Sequence, residues 1–243
     1  MDQETGNRNQ KTGNGKRETR PRSEGHYPHI VFDLDGTLVD SQRDLADAAN
    51  ALVCRYGGRP LTLDAVIRMV GEGARKLVER VVDASAISVS IDEALEAFLA
   101  LYEQRLAVHT RPYDGIVPTL ERLTATRCIS VLTNKPHRAT ERLLDLLSLT
   151  RYVRFVVAGD HRFPRKPDPE GLRHLIACAG VAAAETLLVG DSWVDLQTAR
   201  AAGTGVCLAR YGFGFVNIPA EERVGVLTIG RPEDLLSVVA GQD

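Results

Sequence analysis

Apolar positions along this chain follow two different periods. Short continuous runs bounded by turn residues stand at 29–33, Cys128–Leu132, Val153–Val157, Thr186–Val189 and Gly205–Ala209, and they predict buried strands. Elsewhere the spacing opens to i, i+3, i+4, i+7, the stripe of a helix with one covered face. Leu45, Ala48, Ala49, Leu52 and Val53 form one stripe, opened by an S-x-x-D box at Ser41 and Asp44 and stopped by Gly57-Gly58. Ala74, Leu77, Val78, Val81 and Val82 form a second. Ser90 with Glu93 opens a third, with Leu95, Phe98, Leu99, Tyr102 and Leu106 inward. Residues 42–108 therefore read as an all-helical block.

From Pro112 onward helices and strands alternate. Helices are predicted over 117–126, 138–149, 193–202 and 232–240. A further one runs from Pro169 to Gly180, capped by Asp168, with Leu172, Leu175, Ile176 and Ala179 inward. This alternation predicts an α/β fold: a parallel sheet with right-handed crossovers. The helical block follows the first strand, so it is expected to sit as a cap over that strand's C-terminal tip. The expected division is an α/β core of residues 27–41 and 109–243, a helical cap of residues 42–108, and a tail of residues 1–26. The tail has no apolar residue after Met1 and is expected to be disordered, because it cannot offset its ordering entropy by burial.

Composition narrows the picture by exclusion. A chain of 243 residues with 44% hydrophobic content can bury a sizeable core. A net charge of −2 gives no reason to expect nucleic acid or an anionic membrane as partner. No apolar run reaches the 18 residues of a membrane span, and the polar N-terminus does not read as a secretory signal. Cys54, Cys128, Cys178 and Cys207 are scattered without a C-x-x-C spacing. They are expected to be reduced, buried and structural, in a cytoplasmic protein.

The chemistry collects at the predicted strand ends, where ligands bind in sheets of this kind. Asp33 and Asp35 end the first strand and share one side of it. Thr133-Asn134 ends the second. Arg165-Lys166-Pro167-Asp168-Pro169 follows the third, and Gly190-Asp191-Ser192-Trp193-Val194-Asp195 ends the fourth. Each fragment alone has a plain structural explanation: an acidic turn, a helix cap, a solvated lysine, a first-turn aspartate. Together they assemble carboxylates, a hydroxyl, an amide and an ammonium. That set suits phosphoryl transfer, in which donors and charge neutralisation surround a phosphate. Clustered carboxylates suit Mg²⁺, a hard cation. One carboxylate is then available as nucleophile and a neighbour as acid/base.

These residues resemble the motifs of the haloacid dehalogenase (HAD) superfamily of phosphohydrolases, over about residues 28–240. The form is the one with a Rossmann-like core and an inserted all-helical cap. Phe32-Asp33-Leu34-Asp35-Gly36-Thr37-Leu38-Val39-Asp40-Ser41, Val70-Gly71-Glu72-Gly73-Ala74, Thr133-Asn134-Lys135-Pro136, Gly190-Asp191-Ser192 with Asp195, and Tyr211-Gly212-Phe213-Gly214 look like its phosphoglycolate phosphatase group. The resemblance implies that Asp33 is the nucleophile, forming an aspartyl-phosphate, and that Asp35 is the acid/base. It implies Mg²⁺ held by Asp33, the backbone of Asp35, and Asp191, with Asp195 orienting metal-bound water. It further implies phosphate held by Thr133 and the backbone around Asn134, and Lys166 steadying the charges.

Substrate choice is expected from the cap. Gly71 and Gly73 precede a helix and offer N–H groups to an anion. Arg75 and Lys76 follow, and either has the charge to pair with a substrate carboxylate, with a solvated helix face the favoured reading of each. Tyr211 to Gly214 are expected at the same cleft, Trp193 in packing, and His109 at the cap hinge. The partner is a small phosphorylated metabolite, 2-phosphoglycolate first. Sugar phosphates, nucleotides and pyrophosphate are alternatives. Rivals of other classes are a signalling receiver domain, disfavoured by an acceptor aspartate on the first strand followed by a helical block, and a non-catalytic binding protein on the same fold.

Overall fold

A computed structural model describes residues 27–160 and 162–240; the tail expected at 1–26 lies outside the described residues. The chain opens with β1 (His29–Phe32) and a two-residue β2 (Val39–Asp40). Four helices follow: α1 (Gln42–Arg55), α2 (Leu63–Ile67), α3 (Ala74–Ser85) and α4 (Ile91–Glu103). β3 (Arg111–Pro112) returns the chain antiparallel to β2, Val39 facing Pro112 and Asp40 facing Arg111. Then come α5 (Ile116–Thr124), β4 (Cys128–Leu132), α6 (His137–Leu146), β5 (Phe155–Val157) and α7 (Glu170–Ala179). The chain closes with β6 (Thr186–Gly190), α8 (Trp193–Ala202), β7 (Gly205–Ala209), β8 (Leu227–Ile229) and α9 (Asp234–Ala240).

Six strands form one parallel sheet in the order β5-β4-β1-β6-β7-β8. β1 is central, and all four of its residues are buried. This is why it reads as a continuous apolar run rather than an alternation: both faces of a parallel sheet are covered. Ile30 and Phe32 join one apolar cluster with Ile129, Val131, Leu187 and Val189, and that cluster runs on into α1, α3 and α4. Val31 faces the other way, with Leu132, Leu188 and the inward stripe of α7. The register sets Phe32 opposite Val131 and Val189. Asp33, Thr133 and Asp191 therefore leave the sheet at one edge.

Several local expectations are corrected. Ser41 does not cap α1; its hydroxyl is buried with no hydrogen-bond partner among the described residues. Asp44, only 1% exposed, turns instead to the strand of chain that returns from the helical segment. Its carboxylate accepts from the backbone N–H of His109 (2.9 Å), from that of Thr110 (2.9 Å) and from the Thr110 hydroxyl (2.6 Å). The reason is supply and demand: the buried Thr110 N–H and the part-buried His109 N–H need an acceptor, and a carboxylate that satisfies both is worth more than a helix cap. α7 begins one residue later than expected, with Asp168 accepting from the Glu170 N–H. Val153 ends a 3₁₀ turn, and β5 starts at Phe155. β8 and α2 carry too few residues to leave a periodic signal. The cysteines are free, but Cys54 and Cys178 are exposed and Cys128 half-buried; Cys207 alone of the four is buried. Among the described residues no helix is long and apolar enough to cross a membrane.

One polar rung crosses the middle of the sheet. His29 is fully buried, with Nε2 2.8 Å from the Ser130 hydroxyl and Nδ1 3.3 Å from that of Thr186. Burial pushes its imidazole down to about 4. The unfolded chain, with an ordinary histidine near 6.5, then binds a proton that the folded chain refuses. Stability from this residue is therefore whole above that range and is lost as pH falls from about 6.5 toward 4. Denaturant titrations across that window should show the native protein losing up to about 1.4 kcal/mol per pH unit from this source, a slope reduced in His29→Gln. Asp44→Ala should lower unfolding free energy by about 3 kcal/mol at neutral pH, since it strands buried donors, as measured by urea unfolding.

Candidate active site

The tip of β1 turns sharply. The Leu34 carbonyl accepts from the N–H groups of Thr37, Leu38 and Val39, at 3.3, 3.0 and 3.0 Å. Gly36 takes φ +89° at this turn, and a Cβ there would collide with the Asp191 carboxylate. Gly212 packs on Asp191 and on the Gly36 carbonyl with the same lack of room for a Cβ. The Gly214 N–H donates to Asp191 Oδ2 at 2.7 Å. The Tyr211 hydroxyl reaches the Thr37 carbonyl at 3.1 Å. The glycines of the Tyr-Gly-Phe-Gly stretch thus form a cradle for Asp191, while Phe213 and Gly214 line the cleft as expected.

Asp33, Asp191 and Asp195 each offer a carboxylate oxygen to a common point, these atoms lying within 4.8 Å of one another, and all three residues are buried. Lys166 Nζ stands 2.8 Å from Asp33 Oδ1 and 2.6 Å from Asp195 Oδ1. Its backbone is held by Asn134: the Lys166 N–H donates to Asn134 Oδ1 at 2.8 Å, and Asn134 Nδ2 donates to the Lys166 carbonyl at 2.9 Å. Asn134 Nδ2 also reaches the Gly71 carbonyl in the helical segment, at 3.0 Å. The Asn134 side chain is therefore spent on positioning, and only its backbone remains for a ligand.

Burial pushes the Asp33 carboxyl up to about 7, with Lys166 opposing and Asp195 adding to the rise. Asp191 is held well above the ordinary carboxylate range, first by burial and then by its two acidic neighbours. Burial pulls the Lys166 ammonium down, but Asp195 and Asp33 outweigh it and leave it raised. Fully ionised, the three carboxylates would face one ammonium with an excess of two negative charges in a dry place, a state that burial and mutual repulsion oppose. A divalent cation with a taste for oxygen ligands fits that deficit. Asp195 is the least available of the three. Oδ1 is on Lys166, and Oδ2 accepts from the Ser192 N–H (3.0 Å) and hydroxyl (2.6 Å) in the box that opens α8.

Asp35 faces a different partner. Both of its carboxylate oxygens lie 3.0 Å from Lys135 Nζ, which also donates to the Tyr102 hydroxyl of α4 at 2.5 Å. Lys135 and Tyr102 carried no assigned chemistry in the sequence. The signal available was a second lysine two residues past Thr133, at the mouth of the expected phosphate site. Thr133 lines the cleft, buried at the tip of β4, and its hydroxyl accepts from the Lys135 N–H at 3.2 Å.

The expected recognition residues of the helical segment divide. Gly71 and Gly73 line the cleft. Arg75 does not: its guanidinium pairs with Asp92. Lys76 likewise pairs with Glu79, one turn along α3. Both project along the exposed side of α3, while Ala74 and Leu77 of the same helix line the cleft. Trp193 packs against Leu196, Leu208 and Ile218. The His109 N–H belongs to the Asp44 clamp, where the chain returns from the helical segment.

The chain is similar to known proteins in sequence and in fold. Residues 30–209 match the family model of haloacid dehalogenase-like hydrolases. Phosphoglycolate phosphatase 1 of Pseudomonas aeruginosa is 37% identical over 212 residues, 85% of this chain and 78% of that protein. A plasmid-borne phosphoglycolate phosphatase of Cupriavidus necator is 38% identical over 196 residues, 79% of this chain and 84% of that one. The crystal structure of a predicted phosphoglycolate phosphatase from Haemophilus somnus superposes with a TM-score of 0.82 at 28% identity, covering 88% of this chain and 98% of the other. With its strand-edge carboxylates, its lysine and its inserted helices all in that frame, the chain belongs to the haloacid dehalogenase-like hydrolases.

Proposed function

We propose that the protein is a Mg²⁺-dependent phosphomonoesterase that works through an aspartyl-phosphate on Asp33, with 2-phosphoglycolate its first substrate. The observation that carries this reading is the pairing of Asp33 with Lys166 beside Asp191 at the tip of the central strand. Lys166 and the Leu34 N–H, at 2.7 Å, both hold Asp33 Oδ1. Oδ2 is then the oxygen that attacks phosphorus in line with the leaving alkoxide. Asp35 gives that alkoxide its proton. The phosphoryl group passes to Asp33, and Asp35, now ionised, takes a proton from the water that cleaves the aspartyl-phosphate. Inorganic phosphate leaves and both carboxyl groups return to their starting states.

Thr133 and the backbone N–H groups after it receive the phosphate oxygens, and Lys166 balances charge on the nucleophile. Asp195 positions Lys166 rather than meeting substrate. Asp33, Asp191 and the Asp35 carbonyl would hold Mg²⁺, which when bound cancels the excess negative charge and neutralises phosphate oxygens. The helical segment covers the cleft and excludes water. The substrate reading rests on the relatives from Pseudomonas and Cupriavidus, both phosphoglycolate phosphatases by name.

Purified protein should release phosphate with Mg²⁺ and not with chelator, and 2-phosphoglycolate should lead a panel of phosphate esters in kcat/KM. A sugar phosphate in the lead would move the substrate reading; no release from any ester would overturn the reaction. Asp33→Asn should lower kcat by at least about 10³-fold. Its melting temperature should be no lower than that of the native protein, because the change removes a charge from a buried, acid-crowded position.

A further inference from the structure

Lys135 is buried, with 3% of its side chain exposed, yet it faces the cleft. It is the one cationic side chain among the described residues that line that cleft. Its natural reading is a ligand for a substrate anion. The geometry speaks against this. An ammonium has three N–H donors, and the contacts of Lys135 are the two Asp35 oxygens and the Tyr102 hydroxyl. Its full donor capacity is used inside the protein. The Tyr102 ring also lies under the charge, with Nζ 4.6 Å from its centroid. That ring is held in turn, stacked within 4° of parallel on Phe98 at 5.8 Å.

Asp35 needs such a partner. It follows the β1 tip by two residues, and its carboxylate keeps 14% exposure at the cleft. Without a restraint it would turn toward water among several rotamers, and proton transfer demands one. The ammonium, facing both oxygens, fixes the plane of the ionised carboxylate. When Asp35 carries the proton it donates, one oxygen bears that proton and the other keeps Lys135, and the Tyr102 hydroxyl fixes the ammonium.

We propose that Lys135 is a positioning residue for catalysis: it holds the Asp35 carboxylate in line with the leaving-group oxygen, with Tyr102 of α4 as its strut. The inference rests on the phosphatase reading, in which Asp35 moves the proton. It assigns to Lys135 a role in proton transfer and none in substrate affinity.

Leaving-group dependence separates that role from a structural one. An alkyl phosphate needs its departing oxygen protonated; p-nitrophenyl phosphate does not, because nitrophenolate is stable as an anion. Lys135→Met should lower kcat on 2-phosphoglycolate at least about tenfold, with KM changed less than about threefold. With p-nitrophenyl phosphate the first turnover, read as rapid-mix nitrophenolate release, should keep its rate, while steady turnover slows because Asp35 must still activate water. Lys135→Arg should restore much of the alkyl-ester rate, and Tyr102→Phe should show the same leaving-group pattern in weaker form.

A rise in KM at constant kcat would make Lys135 a substrate ligand and overturn the proposal. Equal loss on both esters in the first turnover would do so as well. If Lys135→Met does not fold, Tyr102→Phe decides: an unchanged ratio of alkyl to aryl first-turnover rates overturns it. Asp35→Asn is run beside them. Native turnover of 2-phosphoglycolate in that variant would sink the acid/base reading itself, whereas an inactive Asp35→Asn with an unaffected Lys135→Met sinks only the role of Lys135.

Discussion

Lys166 sits between Asp33 and Asp195 with contacts of 2.8 and 2.6 Å, and Asp191 stands beside them with no cation of its own among the described residues. An isolated ionised carboxylate in a dry interior is expensive, and three around one ammonium remain expensive. The surrounding structure can be understood as what is needed to keep such a group assembled. Two polar arms hold it: Asn134 grips the backbone of Lys166 on both sides, and Ser192 grips Asp195. The third arm is the close approach of Gly36 and Gly212 to Asp191, which leaves that carboxylate no space to turn away. A protein that tolerates this much unbalanced charge retains it for chemistry. An apolar replacement of like volume would be at least as stable.

A second charge pair, Lys135 with Asp35, is built on a different plan. It is balanced one to one, and it is tied through Tyr102 to a helix outside the sheet. The two lysines therefore divide the work. One compensates a cluster gathered from the strand edge and the first turn of α8. The other links that edge to the helices above it, where Asn134 makes the parallel link to Gly71.

The α/β architecture and the strand tips were legible in the sequence because they depend on local signals. The runs at Ile30 to Phe32, Cys128 to Leu132 and Thr186 to Val189 are apolar on both faces, and each ends in a residue with no place in a core. Asp33, Thr133, Lys166 and Asp191 could be read as convergent from topology alone. What failed to show itself was the choice of partner. Ser41 and Asp44 have the spacing of a helix cap, but nothing local reveals that His109 and Thr110 will bring donors from the far end of the helical segment. Arg75 has the right charge beside the right glycines, and helical geometry turns it to Asp92. In the sequence Lys135 is no more than one residue of a motif, because a contact with Tyr102 across 33 positions leaves no periodic trace. Apolar neighbours in sequence do not reveal which face of a helix carries a cysteine, and Cys54 and Cys178 are exposed.

The central place of β1 has a consequence for how the molecule comes to exist. His29 meets Ser130 across 101 positions and Thr186 across 157. During synthesis Asp33 emerges well before Lys166, Asp191 and Asp195, which arrive only after most of the chain has been made. The helices in between can find one another early, because their contacts are short in sequence; the sheet edge must wait for long-range closure. Catalytic competence is therefore among the last things this chain acquires. A chain ended before β6 would carry Asp33 without Asp191, a carboxylate with no assembled site around it.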